Sequence, residues 1–146
     1  MSFSILPESI KDESLNEDLV AKEFDTLDSE VRSFTEGRAS VIFVPMSDDD
    51  SRVYFKEKKD VECYWVDLKY VLKDDKGQEH RYRNRFAYIS YNATFPVAFG
   101  SPLQEDKEVR VFSHQEELQS ALKEVVSEKS FVRSILRAKS GTVSST

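Results

Sequence analysis

The sequence has one cysteine, Cys63, two histidines and four scattered glycines. A single cysteine excludes an internal disulfide and a cysteine-based zinc site. The glycine spacing excludes phosphate-binding loops of the Walker or dinucleotide type. No Gly-x-Ser-x-Gly, His-Glu-x-x-His or Cys-x-x-Cys motif occurs. These absences predict that the protein is not an enzyme and binds no metal or other cofactor.

Long apolar runs are also missing. No segment approaches the roughly 20 apolar residues of a membrane-spanning helix. The start of the chain, Met1 to Glu8, has neither the basic segment nor the apolar stretch of a secretory signal. We therefore expect a cytoplasmic protein without membrane contact. A length of 146 residues suits one domain, predicted at 1–139, that is stabilised by ordinary hydrophobic burial.

The formal net charge of −6 is concentrated in one part of the chain. Residues 1–38 hold ten acidic and four basic residues, whereas the rest of the chain has equal numbers of both signs. Such an acidic segment is typical of a solvated helix face or of a surface for a basic partner. The overall sign weighs against a general nucleic-acid-binding protein.

The N-terminal segment has the apolar spacing of a helix. Apolar residues recur every three or four positions over about 15–36, which predicts an amphipathic helix with an acidic outer face. Ser14 and Glu17 match a capping box, in which each side chain accepts a hydrogen bond from a backbone N–H of the first turn. Gly37 is suited to end the helix.

The C-terminal segment repeats this pattern. Ser113 and Glu116 match a second capping box before an apolar stripe at helical spacing. The stripe predicts helices over about 114–138, either as two helices with a start near Ser130 or as one continuous helix. A short polar tail, 140–146, follows.

Between the helices, about 39–112, the pattern changes to alternation, which is typical of strands. Two long alternating runs, 61–73 and 78–92, are separated by a turn sequence. The shorter predicted strands are 39–45, 53–55, 95–99 and 109–112, with a polar turn at 47–51. The sequence therefore predicts five or six antiparallel strands around one long central hairpin.

The turn sequence also predicts how the hairpin pairs. A three-residue loop at 75–77 requires a left-handed last residue, which Gly77 supplies. The residue numbers of each cross-strand pair then sum to 152. One face pairs Leu72 with His80, Tyr70 with Tyr82, Leu68 with Asn84, Val66 with Phe86, and Tyr64 with Tyr88. The other pairs Val71 with Arg81, Lys69 with Arg83, Asp67 with Arg85, Trp65 with Ala87, and Cys63 with Ile89.

The order helix, strands, helix predicts an α+β domain: an antiparallel meander flanked by an N-terminal and a C-terminal helix. Two known architectures share this order. The helix-grip type wraps a curved sheet around a long C-terminal helix, and the PH-like type closes a small barrel with one. Such likeness of fold alone implies no function.

One surface of the predicted hairpin stands out by its charge. Three arginines alternate along one strand and so point to the same side. We call them the Arg stripe: Arg81, Arg83 and Arg85. Lys69 lies beside them, and Asp67 is the one opposing charge. Trp65, one pair further from the turn, offers an aromatic anchor, so these five basic and aromatic residues form the predicted partner-binding site.

Three functions remain open from the sequence. The first is a non-catalytic protein-binding or assembly module, as a subunit of a larger complex, that uses the basic and aromatic hairpin surface. The alternative is a small apolar-ligand-binding protein or cavity enzyme with a pocket between the sheet and the C-terminal helix, lined by Tyr64, Tyr70, Tyr82 and Tyr88. The third is nucleic-acid binding through the Arg stripe. The acidic N-terminal helix could also cover and neutralise the stripe.

Overall fold

The structure is a computed structural model that describes residues 8–55, 62–91, 96–105 and 108–143. The elements are α1 (Glu8–Phe34), β1 (Ala39–Pro45), α2 (Asp48–Phe55), β2 (Glu62–Lys73), β3 (Glu79–Tyr91), β4 (Val97–Gly100), β5 (Arg110–Phe112), α3 (Gln115–Val126) and α4 (Lys129–Ser140). The strands form one antiparallel sheet in the order β1-β2-β3-β4-β5. The predicted α+β meander is therefore confirmed. The predicted strand residues Val61, Asn92 and Phe95 and the tail residues 144–146 lie outside the described residues.

Helix α1 is longer than predicted, because it begins at Glu8. Ser14 lies inside the helix, so the prediction that this serine starts it is wrong. The residues before Ser14 include good helix formers, and a serine inside a long helix costs only a fraction of a kcal/mol, about 0.5. The end agrees with the prediction: Gly37 has φ +82° and donates its N–H to the Arg32 carbonyl at 2.8 Å.

Helix α2 replaces the predicted turn at 47–51 and strand at 53–55. The Ser47 hydroxyl accepts the backbone N–H of Asp50 at 3.2 Å, which caps the helix start. Acidic side chains in the first turn interact favourably with the positive end of the helix dipole. At the other end, Phe55 is buried against the sheet. Capping and burial together outweigh the strand preference of so short a segment.

The hairpin register is confirmed from the turn down to Asp67 and Arg85. Tyr70 lies opposite Tyr82, and Gly77 has φ +78°. The Asp74 carboxylate closes the turn by accepting the backbone N–H groups of residues 76 and 78, both at 2.9 Å. Local turn chemistry therefore sets the pairing of this half of the hairpin.

Below that point a β-bulge shifts the register by one residue. Val66 lies opposite Ala87, and Trp65 opposite Tyr88, so the predicted pairs of Val66 with Phe86 and of Trp65 with Ala87 are wrong. The predicted pairs Tyr64 with Tyr88 and Cys63 with Ile89 are wrong for the same reason. The bulge adds one unpaired residue, Phe86, to β3. Phe86 and Ala87 therefore both join the larger core, and Tyr88 joins a second cluster.

The larger core lies between one face of the sheet and helices α1, α3 and α4. It contains Val20 and Phe24 of α1, Leu68 and Tyr70 of β2, and Phe131 of α4, all buried. The smaller cluster lies on the opposite face, where α2 covers the base of the sheet. Among the described residues, the part of this second face nearer the hairpin turn has no helix over it. No helix of the described part is long and apolar enough to cross a bilayer.

Helix α3 begins one residue later than the predicted capping box implies. The side chain that reaches back is that of Glu117, not Glu116, and its carboxylate accepts the N–H groups of Ser113 at 3.2 Å and His114 at 3.1 Å. The prediction that Ser113 and Glu116 form the capping box is therefore wrong by one position, because His114 is the N-cap and Glu117 supplies the carboxylate.

The C-terminal segment is two helices, so of the two predicted alternatives the broken one is correct. Ser130 lies in the first turn of α4 rather than before it. Gly141, with φ +74°, ends this helix. The Arg38 guanidinium donates to the carbonyl oxygens of Ala138 at 2.8 Å and Lys139 at 2.5 Å, which ties the end of α4 to the start of β1.

Candidate partner-binding surface

The structure places the Arg stripe as the register predicts. Arg83 lies opposite Lys69, and Arg85 opposite Asp67. All three arginines of the stripe and Lys69 are exposed, with 54% of the Arg83 side chain and 43% of the Arg85 side chain open to solvent. They occupy the part of the second face that no described helix covers.

Helix α1 does not cover this surface. Its apolar residues Val20, Phe24 and Val31 pack into the larger core, on the opposite face of the sheet. The Asp28 carboxylate of α1 accepts the Val41 N–H at 2.8 Å at the edge of β1. The acidic helix therefore leaves the Arg stripe uncovered, and among the described residues Arg81 and Lys69 have no ion-pair partner.

The acidic group directly opposite the Arg stripe, Asp67, is fully buried beneath this surface. Its two carboxylate oxygens lie 3.3 Å from Nε of Arg83 and 3.5 Å from Nε of Arg85. Neither contact has hydrogen-bond geometry, and within the described residues no group donates to either oxygen. Burial raises the pKa of Asp67, while Arg85 and Arg83 act to lower it, and the net direction is upward.

Trp65 supports the surface from below. Its ring is only 7% exposed and packs edge-on against Tyr54 and Tyr88, with centroids 5.0 and 6.0 Å away. The Arg85 guanidinium carbon lies 4.4 Å from the centre of the Trp65 ring, in a cation–π contact. A buried ring offers little surface to a partner, so Trp65 contributes by fixing the position of Arg85.

A groove of about 580 Å³ lies beside the stripe, between β3 and the C-terminal helix α4, where a pocket was expected, but none of the four tyrosines lines it. Its lining combines apolar Phe86, Leu103 and Phe131 with polar and charged side chains that include Arg83 and Arg133. These residues are far apart along the chain, so no local pattern could have grouped them. Beside it, the Asn84 amide donates to the Ser134 hydroxyl at 2.7 Å, which links β3 to α4.

The pocket predicted from four tyrosines does not form as a unit. Tyr70 is buried in the larger core and stacks on Tyr82 at 5.2 Å. Tyr88 belongs to the cluster on the opposite face. The bulge causes this difference, because it reverses which face the even-numbered residues of β3 occupy.

Asp67→Asn should increase stability at neutral pH. The folded protein binds the Asp67 proton more tightly than the unfolded chain does, so the ionised carboxylate lowers stability above the raised pKa. The two arginines remain hydrated when the carboxylate is removed. We therefore expect a higher free energy of unfolding at pH 7 for the variant than for the wild type, as measured by urea titrations.

This gain should shrink as the pH falls through the raised pKa of Asp67, where the wild-type carboxyl becomes neutral. Asp25→Asn is the control, because it removes one carboxylate from an exposed position of α1. A loss of stability in Asp67→Asn at pH 7 would show that attraction by the arginines outweighs burial.

The described residues contain no group of three or more histidine, cysteine, aspartate or glutamate side chains placed to hold a metal ion. In comparisons with known proteins, no protein-family model, no curated protein and no solved structure matches this chain.

Proposed function

We propose that this protein is a non-catalytic protein-binding module of a larger assembly. Its recognition surface is formed by Lys69 and the Arg stripe, and it binds an acidic region of a partner. The observation that carries the proposal is the imbalance of charge on an open sheet face. Four exposed cations surround one fully buried carboxylate, that of Asp67, and among the described residues the exposed Glu79 on the same face forms no ion pair with them.

The free protein carries this imbalance at a cost. Like charges directly opposite each other in a sheet repel, as the pair Lys69 and Arg83 does. Carboxylates of a partner would remove that repulsion and form paired hydrogen bonds with the planar guanidinium groups. Arg85 is already held by Trp65 and Asp67, so less side-chain entropy is lost when it binds.

Nucleic acid is a weaker candidate for the same surface. Phosphates would bind the arginines, but the chain as a whole carries −6 and would repel a polyanion. The groove between β3 and α4 favours a second candidate function, the binding of a small apolar ligand. These two functions differ in their dependence on the Arg stripe, because a ligand in the groove does not require Arg81.

The test uses a double charge reversal, Lys69→Glu with Arg81→Glu. Neither residue forms an ion pair with the buried Asp67 carboxylate, whose partners are Arg83 and Arg85, so the free domain should melt nearly as the wild type does. Lys22→Glu with Lys123→Glu is the matched control, because it makes the same change in charge at exposed positions of α1 and α3. Each protein is used to capture partners from nuclease-treated extract of the source cells, with quantification by mass spectrometry.

We expect the wild type and the control to capture at least one protein in similar amounts. The test variant should capture about tenfold less of that protein, or even less. Its binding constant, measured with the purified partner, should change in the same way. Equal capture of every protein by both variants would refute the proposal. Capture that occurs only in extract without nuclease treatment would instead identify nucleic acid as the ligand.

A further inference from the structure

Among the described parts of the chain, no strand pairs with one edge of β3 over half its length. β4 pairs with β3 only at Tyr88, Ile89 and Ser90. Residues 79–85 of β3 therefore pair with β2 on one side, and no described strand pairs with them on the other. At the end of this stretch the Ser101 hydroxyl donates to the Phe86 carbonyl at 2.6 Å, which closes the edge.

The residues whose main-chain groups point out of this edge include the whole Arg stripe. In an antiparallel pair, directly hydrogen-bonded pairs alternate with pairs whose groups point away. Asp74 donates its N–H to the Gln78 carbonyl at 2.9 Å, so the bonded pairs involve even-numbered residues of β3 down to residue 84. The odd-numbered residues 79, 81, 83 and 85 therefore direct their N–H and C=O groups outward.

The outer side of β2 confirms this alternation. There the N–H of Val71 donates to the Arg38 carbonyl, and that of Lys73 to the Gly141 carbonyl, both at 3.0 Å. Within the described residues, no backbone group forms a hydrogen bond with the outward N–H and C=O groups of Arg81 and Arg83. The free edge thus offers backbone donors and acceptors at the same residues that carry the exposed cations.

Charge determines what can pair there. Side chains of directly opposite residues in an antiparallel pair lie on the same face. A strand added to this edge would therefore place every second side chain beside the arginines, where acidic residues fit. A second copy of the same edge would bring arginine against arginine, and charged edge strands generally prevent such pairing.

The other side chains of an added strand would face the groove. This side of the edge presents Tyr82, with the Arg137 guanidinium carbon 5.3 Å from its ring centre. The groove follows, where apolar Phe86, Leu103 and Phe131 lie among polar side chains that include Asn84 and Ser134. Apolar side chains of moderate size suit such a lining. The ligand chemistry is thus an extended segment in which acidic and apolar residues alternate.

We propose that the partner contributes such an acidic, extended segment, which binds as an antiparallel sixth strand on the free edge of β3 at residues 79–85. This inference rests on the proposed function and specifies its mode of recognition. Main-chain hydrogen bonds would supply affinity, and the Arg stripe and groove would supply specificity.

The first test uses a fluorescein-labelled octapeptide of alternating glutamate and valine, with binding followed by fluorescence anisotropy. In the proposed geometry the glutamates lie opposite the Arg stripe, so their N–H groups bond to β3 and those of the valines point away. N-methylation of the glutamates should weaken binding at least tenfold, whereas N-methylation of the valines should change it less than threefold. Both modified peptides keep the charge and length of the original.

The second test changes the protein. Arg83→Pro and Arg83→Ala both remove the side chain, but only proline also removes the outward N–H. The proline variant should bind the peptide at least threefold more weakly than the alanine variant. In the wild type, saturating peptide should slow hydrogen exchange of the Arg81 and Arg83 amides about tenfold or more.

The outcomes separate this inference from the proposed function. Equal binding of the two methylated peptides, or unchanged exchange at Arg81 and Arg83, would overturn strand addition and leave an acidic partner of the Arg stripe in place. Capture from extract that does not depend on Lys69 and Arg81 would overturn the proposed function, even if the peptide binds as expected.

Discussion

Replacing Tyr88 by alanine should lower the free energy of unfolding by about 3–5 kcal/mol. Its side chain is fully buried at the centre of the smaller cluster. Its ring contacts those of Tyr54, Phe55 and Trp65, with centroids 4.7, 6.0 and 6.0 Å away. The loss would be a large part of the roughly 5–15 kcal/mol that stabilises a typical domain.

Urea unfolding at pH 7 measures this effect. Val53→Ala, in the same α2 helix that covers Tyr88, is the control, because the Val53 side chain is 69% exposed. The control should change stability by less than about 0.5 kcal/mol. A loss under 1 kcal/mol for Tyr88→Ala would mean that the smaller cluster contributes little and that α2 is weakly attached.

Gly100→Ala should cost about 1–3 kcal/mol, and the same ring is the reason. Gly100 lies opposite Tyr88 in the sheet. A β-carbon at Gly100 would lie 2.9 Å from Cζ and 3.0 Å from the hydroxyl oxygen of Tyr88, and nearer still to Cε2. The ring cannot move aside, because α2 and Trp65 pack on it. A conformational penalty is not involved, since Gly100 lacks a positive φ.

A double-mutant cycle isolates this steric cause. In the Tyr88→Ala background, the Gly100→Ala change should cost less than about 0.5 kcal/mol, so the two changes should be coupled by about 1–2 kcal/mol. Independent, additive effects of the two substitutions would assign the cost of Gly100→Ala to some contact other than the Tyr88 ring.

Periodicity and turn chemistry were sufficient for much of the fold. The apolar spacing identified α1 and a helical C-terminal segment, without deciding between one helix and two. The loop ending in Gly77 set the register of the hairpin from the turn to Asp67. The bulge at Phe86 could not be predicted, because residues 86–89 are all apolar or aromatic, so no alternation is present there from which a change of face could be recognised. Helix α2 was missed since its apolar residues are too few to show a helical period, and its burial against Tyr88 is a long-range contact.

The candidate surface was predictable to a similar extent. The common direction of Arg81, Arg83 and Arg85 follows from the alternation within one strand close to the turn. The burial of Asp67 and Trp65 depends on what packs around them, and the short length of β4 leaves the edge of β3 free. Neither property is encoded in the residues of the hairpin itself.

The bulge also determines where this hairpin can change length during evolution. An insertion or deletion of one residue elsewhere in either strand would turn every following side chain to the wrong face, and so exchange core and solvent positions. Deletion of Phe86 alone would join the two registers without reversing either. Among distant descendants of this sequence, the paired strands can therefore lose a single residue at that position while the arginines and Tyr88 keep their places.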